Sequence, residues 1–185
     1  MQQGGFMKAI GPLMIEHRVI ERMLALLNQE LSKILKEGKV DSPVIDVAID
    51  FFTTYADRFH HGKEERILFR ELKGKPLSVE HKQIMNDLIE EHAYARNTVE
   101  KLRNARERGA TDKDSLDEIM QCIETLLKSY PVHIEKEDKH FFFPALEYLS
   151  LEEQAAMLDE FRAFDGSFIH EAYTGRIKAL EGKEK

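Results

Sequence analysis

Apolar positions recur at helical spacing along most of the chain. Leu13, His17, Ile20, Leu24, Leu27, Leu31 and Ile34 follow one another in steps of four and three. The same steps connect Met85, Leu88, His92, Ala95, Val99 and Leu102, and again Leu116, Ile119, Ile123, Leu126, Tyr130, His133 and Glu137. A looser stripe runs through Ile45, Ile49, Phe52, Ala56, His60, Glu64 and Ile67. Each stripe is the inward face of an amphipathic helix, and no segment alternates with the period of two that a half-buried strand requires.

Punctuation residues bound these helices. Gly38 stops the first, and Ser42-Pro43 opens the second with a cap residue and proline at the first helical position. Gly74 to Pro76 separate the second from the third, which Ser78 caps and Gly109 ends. Asp112 or Asp114 starts the fourth, Pro131 should kink it, and Pro144 helps to close it. Four long helices with short connections predict an all-α fold, an up-down-up-down antiparallel four-helix bundle over residues 13–149. Residues 1–12 read as a leader, with Met7 a candidate natural start. Residues 150–185 read as a C-terminal helical extension packed on the bundle, opened by a capping box of Ser150 and Glu153.

Composition narrows the function. A net charge of −7 with acidic and basic residues interleaved lacks the basic stripe of a nucleic-acid surface. No apolar run is long enough to span a membrane, and the N-terminus has no signal-peptide layout. The single Cys122 excludes an internal disulfide and suits a reducing, cytoplasmic setting; it reads as a small buried residue.

Six polar residues interrupt the apolar stripes: His17, His60, Glu64, His92, His133 and Glu137. An unpaired carboxylate in a helix core costs several kcal/mol, so something must compensate. Counting outward from the three connecting loops places all six at similar depth, at about 1.5 Å per residue. His81 lies too near the end of the bundle. His61 and Glu65 follow Asp57 and Arg58 onto the polar face, and His140 and His170 read as surface residues. Histidine and glutamate four apart on one helix project side by side, and imidazole plus carboxylate suits iron, with manganese or zinc fitting the same donors. Four nitrogens and two carboxylates exceed the needs of one ion. Two ions bridged by the carboxylates satisfy them, whereas the competing interpretation is a polar network without metal.

The segments "EHRVIERML", "HHGKEERILF", "EEHAYAR" and "HIEKEDKHFFFP" together resemble the hemerythrin-like, or HHE cation-binding, family. The resemblance covers residues 13 to about 149 and implies a non-haem di-iron centre (two iron ions) in a four-helix bundle. It carries over His17, His60, Glu64, His92, His133 and Glu137 as ligands, with Glu64 and Glu137 as bridges. The oxygen carriers of the family bear two histidines four apart on the third helix; here Arg96 follows His92 at that spacing, so one nitrogen donor is missing. The carriers also end with histidine and aspartate five apart, which His133 and Asp138 could mimic, but Glu137 stays on the stripe. Glu21, four after His17, is a candidate extra ligand; a surface pairing with a nearby arginine is the alternative.

The resemblance implies a metal protein that binds or reacts with dioxygen, nitric oxide or peroxide, in sensing, stress defence or iron handling. The missing nitrogen favours turnover over stable carriage. A metal-responsive interaction module without redox chemistry is a second expectation. A ferritin-like oxidase is a third; it needs Glu-x-x-His pairs, and only Glu137 and His140 have that spacing.

Overall fold

The computed structural model describes residues 8–109, 113–166 and 168–182, so Met7 and Asp112 lie outside the described residues. The described residues are all-helical, with no strand. Helix α1 spans Gly11–Glu37 and α3 spans Val79–Arg108. Helix α2 covers residues 42–73 and α4 residues 113–146, while Leu151–Asp165 and Ile169–Glu181 form α5 and α6.

Local chemistry sets the ends. Gly38 takes a left-handed φ of 64° and returns its N–H to the Ile34 carbonyl, closing α1. Asp41, rather than Ser42, caps α2, its carboxylate accepting from the Val44 N–H, and Pro43 follows in the first turn. Ser78 accepts from the His81 N–H, and Ser150 and Glu153 exchange both bonds of a capping box. Helix α4 runs on through Pro131.

Helices α2 and α4 are not uniformly α-helical. Phe51–His61 and Glu64–Leu68 in α2, and Lys136–Phe141 in α4, are wound as π-helix. Bonding from i to i+5 takes more residues per turn, so the inward face drifts away from the 3.6-residue stripe. These stretches carry the HxxxE glutamates and, in α2, their histidine.

Helices α1 and α3 each pack against both α2 and α4. The apolar interior falls into two clusters. One gathers Ile20–Ile34 side chains with those of residues 45–56, 95–105 and 119–134; the other gathers Leu13, Ile67, Phe69, Leu88 and Phe142. Along α1 and α3 the second cluster comes first, then a buried polar stretch, then the first cluster. Along α2 and α4 the order is reversed. A polar layer thus divides the core.

The C-terminal helices contribute to both clusters, α5 through Met157, Leu158 and Phe161 and α6 through Tyr173, Ile177 and Leu180. The Tyr173 hydroxyl donates to Asp50 at 2.9 Å. At Gly62 an added Cβ would lie 2.9 Å from Cζ of Phe164, so this glycine lets α5 approach α2 beside the polar layer. No helix among the described residues is long and apolar enough to cross a membrane.

Candidate metal centre

The polar layer is built from imidazoles and carboxylates aimed at one another's lone pairs. His17, His60, Glu64 and Glu137 place ligand-type atoms within 4.8 Å of one another, and His61, His92 and His133 form an adjoining group at the same tolerance. Glu64 spans the two. One of its oxygens lies 3.3 Å from His60 Nε2 and the other 3.4 Å from His92 Nε2. Glu137 does the same, with Oε2 at 3.1 Å from His17 Nε2 and 3.3 Å from His133 Nε2, and Oε1 at 3.9 Å from His92 Nε2. Donors about 2.1 Å from a shared ion and at right angles to each other lie about 3.0 Å apart, close to these separations.

The test of fit is what these atoms lack. The Nε2 atoms of His17, His60, His61, His92 and His133 and both oxygens of Glu64 and Glu137 are buried with no hydrogen-bond partner. Each orphaned polar atom costs about 1–3 kcal/mol, and so many in one place is not a feature of an ordinary core. An unmetallated polar network would be satisfied internally, and this one is not. Cations accepting nitrogen and carboxylate oxygen would satisfy all of them.

The opposite ring edges are fully engaged. The Nδ1–H of His17 donates to Asp138 at 2.8 Å, that of His60 to Glu16 at 2.9 Å, that of His92 to Glu65 at 2.8 Å and that of His133 to Glu91 at 2.8 Å. His61 Nδ1 faces Asp57 at 3.4 Å. A carboxylate only accepts, so each Nδ1 keeps its proton and it is Nε2 that faces inward, ready to bind a cation once any second proton has left. This carboxylate–histidine pairing is how metal-ligating imidazoles are oriented. Cations stand behind the carboxylates in turn: Arg18 on Asp138, Lys63 on Glu16, Lys136 on Glu91, and Arg96 on both Asp57 and Glu65.

Three sequence-based expectations are corrected. His61 is not on the polar face: it is 1% exposed, its ring stacks on His92 with centroids 3.9 Å apart, and its Nε2 joins the inward set. His60 and His61 lie in a π-helical stretch, whose larger number of residues per turn narrows the angle between neighbours and helps bring both into the same layer. The His61 Nε2 is a fifth inward-facing nitrogen beside the four expected, and Arg96 buttresses the carboxylates behind His61 and His92. Glu21 does not approach the cluster, is 42% exposed and pairs with Arg18 at 3.0 Å. Asp138 supports His17 rather than replacing Glu137. His140 is exposed, and His81 bonds the Tyr148 hydroxyl at 2.8 Å. His170 is half-exposed and bonds Tyr55 and Asp165 at the start of α6.

Burial and neighbouring charge divide the titrations. Burial and the adjacent Glu137 push the Glu64 carboxyl well above its usual range, whereas the imidazoles of His133, His17 and His92 outweigh burial and hold Glu137 well below. Two carboxylates facing each other in a dry layer do not both ionise without a cation between them. Against burial, Asp138 and Glu137 raise His17 to about 9; burial lowers His60 to about 4.

The layer has an internal two-fold correspondence. Glu16-His17 on α1 matches Glu91-His92 on α3, and His60, Lys63, Glu64 and Glu65 on α2 match His133, Lys136, Glu137 and Asp138 on α4. The contacts match too: Glu16 takes His60 and Lys63 as Glu91 takes His133 and Lys136, and Asp138 takes His17 as Glu65 takes His92. The repeat of Glu-His and His-x-x-Lys-Glu-acid is the signal in the sequence that marks the outer carboxylates. His61 breaks the correspondence, for Ile134 stands in its place on α4.

A family model described as the hemerythrin HHE cation-binding domain matches residues 9–142, and a second alignment covers residues 83–182, starting within α3 as the half-chain correspondence would have it. Comparisons with curated proteins and with solved structures give no match.

Proposed function

The chain belongs to the hemerythrin HHE cation-binding family, and from that premise we propose that it holds two iron ions in an antiparallel four-helix bundle and binds or reacts with dioxygen, nitric oxide or peroxide. The alternating order of the two core clusters along α1 to α4 supports the up-down arrangement. The observation that carries the site is the set of five Nε2 and four carboxylate oxygen atoms, all buried and all without partners. In this proposal His17 and His60 hold one ion, His61, His92 and His133 the other, and Glu64 and Glu137 bridge them. A ferrous pair supplies the electrons that small diatomic and peroxidic ligands accept.

The residues set the conditions for that chemistry. The outer carboxylates fix every imidazole by its far edge, so the donors are in place before the cation arrives. The two apolar clusters on either side of the layer exclude water. Ile134, standing where α2 has His61, leaves the His17–His60 side one nitrogen poorer, and this is the side where a small ligand is accommodated. With five inward nitrogens present, no donor is missing, and the site suits carriage as well as turnover.

Anaerobic loading with ferrous iron, metal analysis, and admission of oxygen while the visible spectrum is recorded test the proposal. About two irons per chain and an oxygen-dependent absorption band are expected. A long-lived band supports carriage and rapid bleaching to a ferric form supports turnover; failure to retain iron refutes it.

One contact favours a second reading, a metal-responsive interaction module. Glu16, which orients His60, shares the fully buried Lys63 with Asp165 at the end of α5. Filling the site would then tighten the C-terminal helices. Metal-dependent protease protection of residues 150–185 without any redox change is its expected signature, and identical cleavage with and without metal counts against it. With His140 on the surface, the ferritin-like alternative has no support.

A further inference from the structure

Every imidazole of the layer is held at its outer edge by a carboxylate, so a cation arriving from solvent must pass one of these corners. They differ in cover. On the α1–α2 side, the side chains of Glu16 and Lys63 are 2% and 0% exposed, and Lys63 is held from outside by Asp165 at 2.6 Å. Their counterparts across the internal correspondence, Glu91 and Lys136, are 36% and 25% exposed. Glu91 is the most exposed of the five carboxylates behind the imidazoles, and His133, which it holds, is the least covered of the five rings.

The same corner adjoins a cleft of about 370 Å³ walled by Glu91, His133, Tyr94 and Val132. Six waters at about 30 Å³ each, the shell of a hydrated cation, fit within it. The rings and their inward Nε2 atoms are closed to this cleft, so entry requires the corner to part. Parting Lys136 from Glu91 lets water take over both groups, as for any exposed ion pair, and costs little. Parting Lys63 from Glu16 or Asp165 strands charge in a dry interior and costs far more. The corners behind His61 and His92 are tied together by Arg96, whose permanently charged fork donates to Asp57 and Glu65 at 2.6 Å each. Behind His17, Arg18 holds Asp138, which is less than half as exposed as Glu91, and the ring stacks on Phe142. At the rim of the cleft Lys128 pairs with Glu124 at 3.1 Å, so both lysines along the approach have carboxylate partners.

We propose that the corner of Glu91, Lys136 and His133 is the portal through which cations enter and leave the layer, while the C-terminal helices seal the equivalent corner on the other side; the proposal rests on the two-ion reading above. Glu91 meets an incoming cation first, and Lys136 swings outward as it does so. Glu64 and Glu137, which each face imidazoles of both halves, pass the cation on to His17 and His60. The half built from His61, His92 and His133 is therefore the last to fill and the first to empty.

The full chain is loaded with zinc, which has no redox chemistry, and mixed with excess 4-(2-pyridylazo)resorcinol, a chelator that colours on binding zinc. Release in two phases, one ion in each, is expected. After the first phase, histidine nitrogen NMR should show His61, His92 and His133 free of metal and His17 and His60 still bound. Val132→Trp, which narrows the cleft from an exposed position, should slow the first phase about tenfold or more relative to the exposed control Leu35→Trp. Asp165→Asn, which loosens the sealed corner, should leave the first phase unchanged. Release of both ions in one phase, loss of metal from His17 and His60 first, equal first phases in the two Trp variants, or a faster first phase in Asp165→Asn overturns this proposal alone. Failure of the wild-type chain to take up two zinc ions overturns the two-ion reading as well.

Discussion

Replacing Glu64 by leucine should stabilise the metal-free protein while abolishing its response to metal. Glu64 is fully buried, both its oxygens lack hydrogen-bond partners, and imidazole nitrogens of His60 and His92 lie 3.3 and 3.4 Å away. Without a cation, burial and Glu137 push its carboxyl well above the usual range, which disfavours the charged form. Leucine of similar volume removes two orphaned polar atoms, each costing about 1–3 kcal/mol, and adds apolar contact between the two core clusters. Allowing for imperfect packing, a gain of about 1–4 kcal/mol is expected. For a chain of this size that raises the melting temperature by about 2–4 °C per kcal/mol. The assay is thermal unfolding by circular dichroism in excess chelator and then with zinc or ferrous iron. Wild type should rise on metal addition, by about 2.7 kcal/mol at a hundredfold excess over Kd, and Glu64→Leu should not move. A metal-free variant that melts below metal-free wild type would show that Glu64 belongs to a satisfied structural network and would defeat the reasoning.

Three further outcomes follow from the same geometry. His61→Ala should lose the ion beside His92 and His133 in metal analysis, whereas His140→Ala should retain full metal content; equal content in both would remove His61 from the site. Glu91→Gln weakens the acceptor behind His133 and should lower metal affinity about 10–100-fold in a chelator competition, with the fold unchanged by circular dichroism. Metal binding should release protons at pH 7. His17, held at about 9 against burial by Asp138 and Glu137, is protonated in the metal-free state at that pH and must give up its Nε2 proton to coordinate. Affinity should therefore rise as pH approaches about 9, with release of at least about one proton. Calorimetry in two buffers of different ionisation heat reads it, and equal heats would refute it.

The helices and most of the candidate centre are legible in the residue order because both depend on short-range periodicity. Steps of three and four mark which residues of α1, α3 and α4 face inward, and His17, His92, His133 and Glu137 interrupt those stripes visibly. What escapes is everything that depends on departures from that period or on contacts between distant segments. The π-helical winding of α2 helps bring His61 into the layer, and nothing in "HHGKEE" distinguishes that winding from an ordinary helix. Asp138 orients a histidine 121 positions away, and Glu16 and Glu91 become imidazole partners only when α1 meets α2 and α3 meets α4. Neighbours along the chain are set by covalent order, and the partners of a buried imidazole are set by which helices pack side by side.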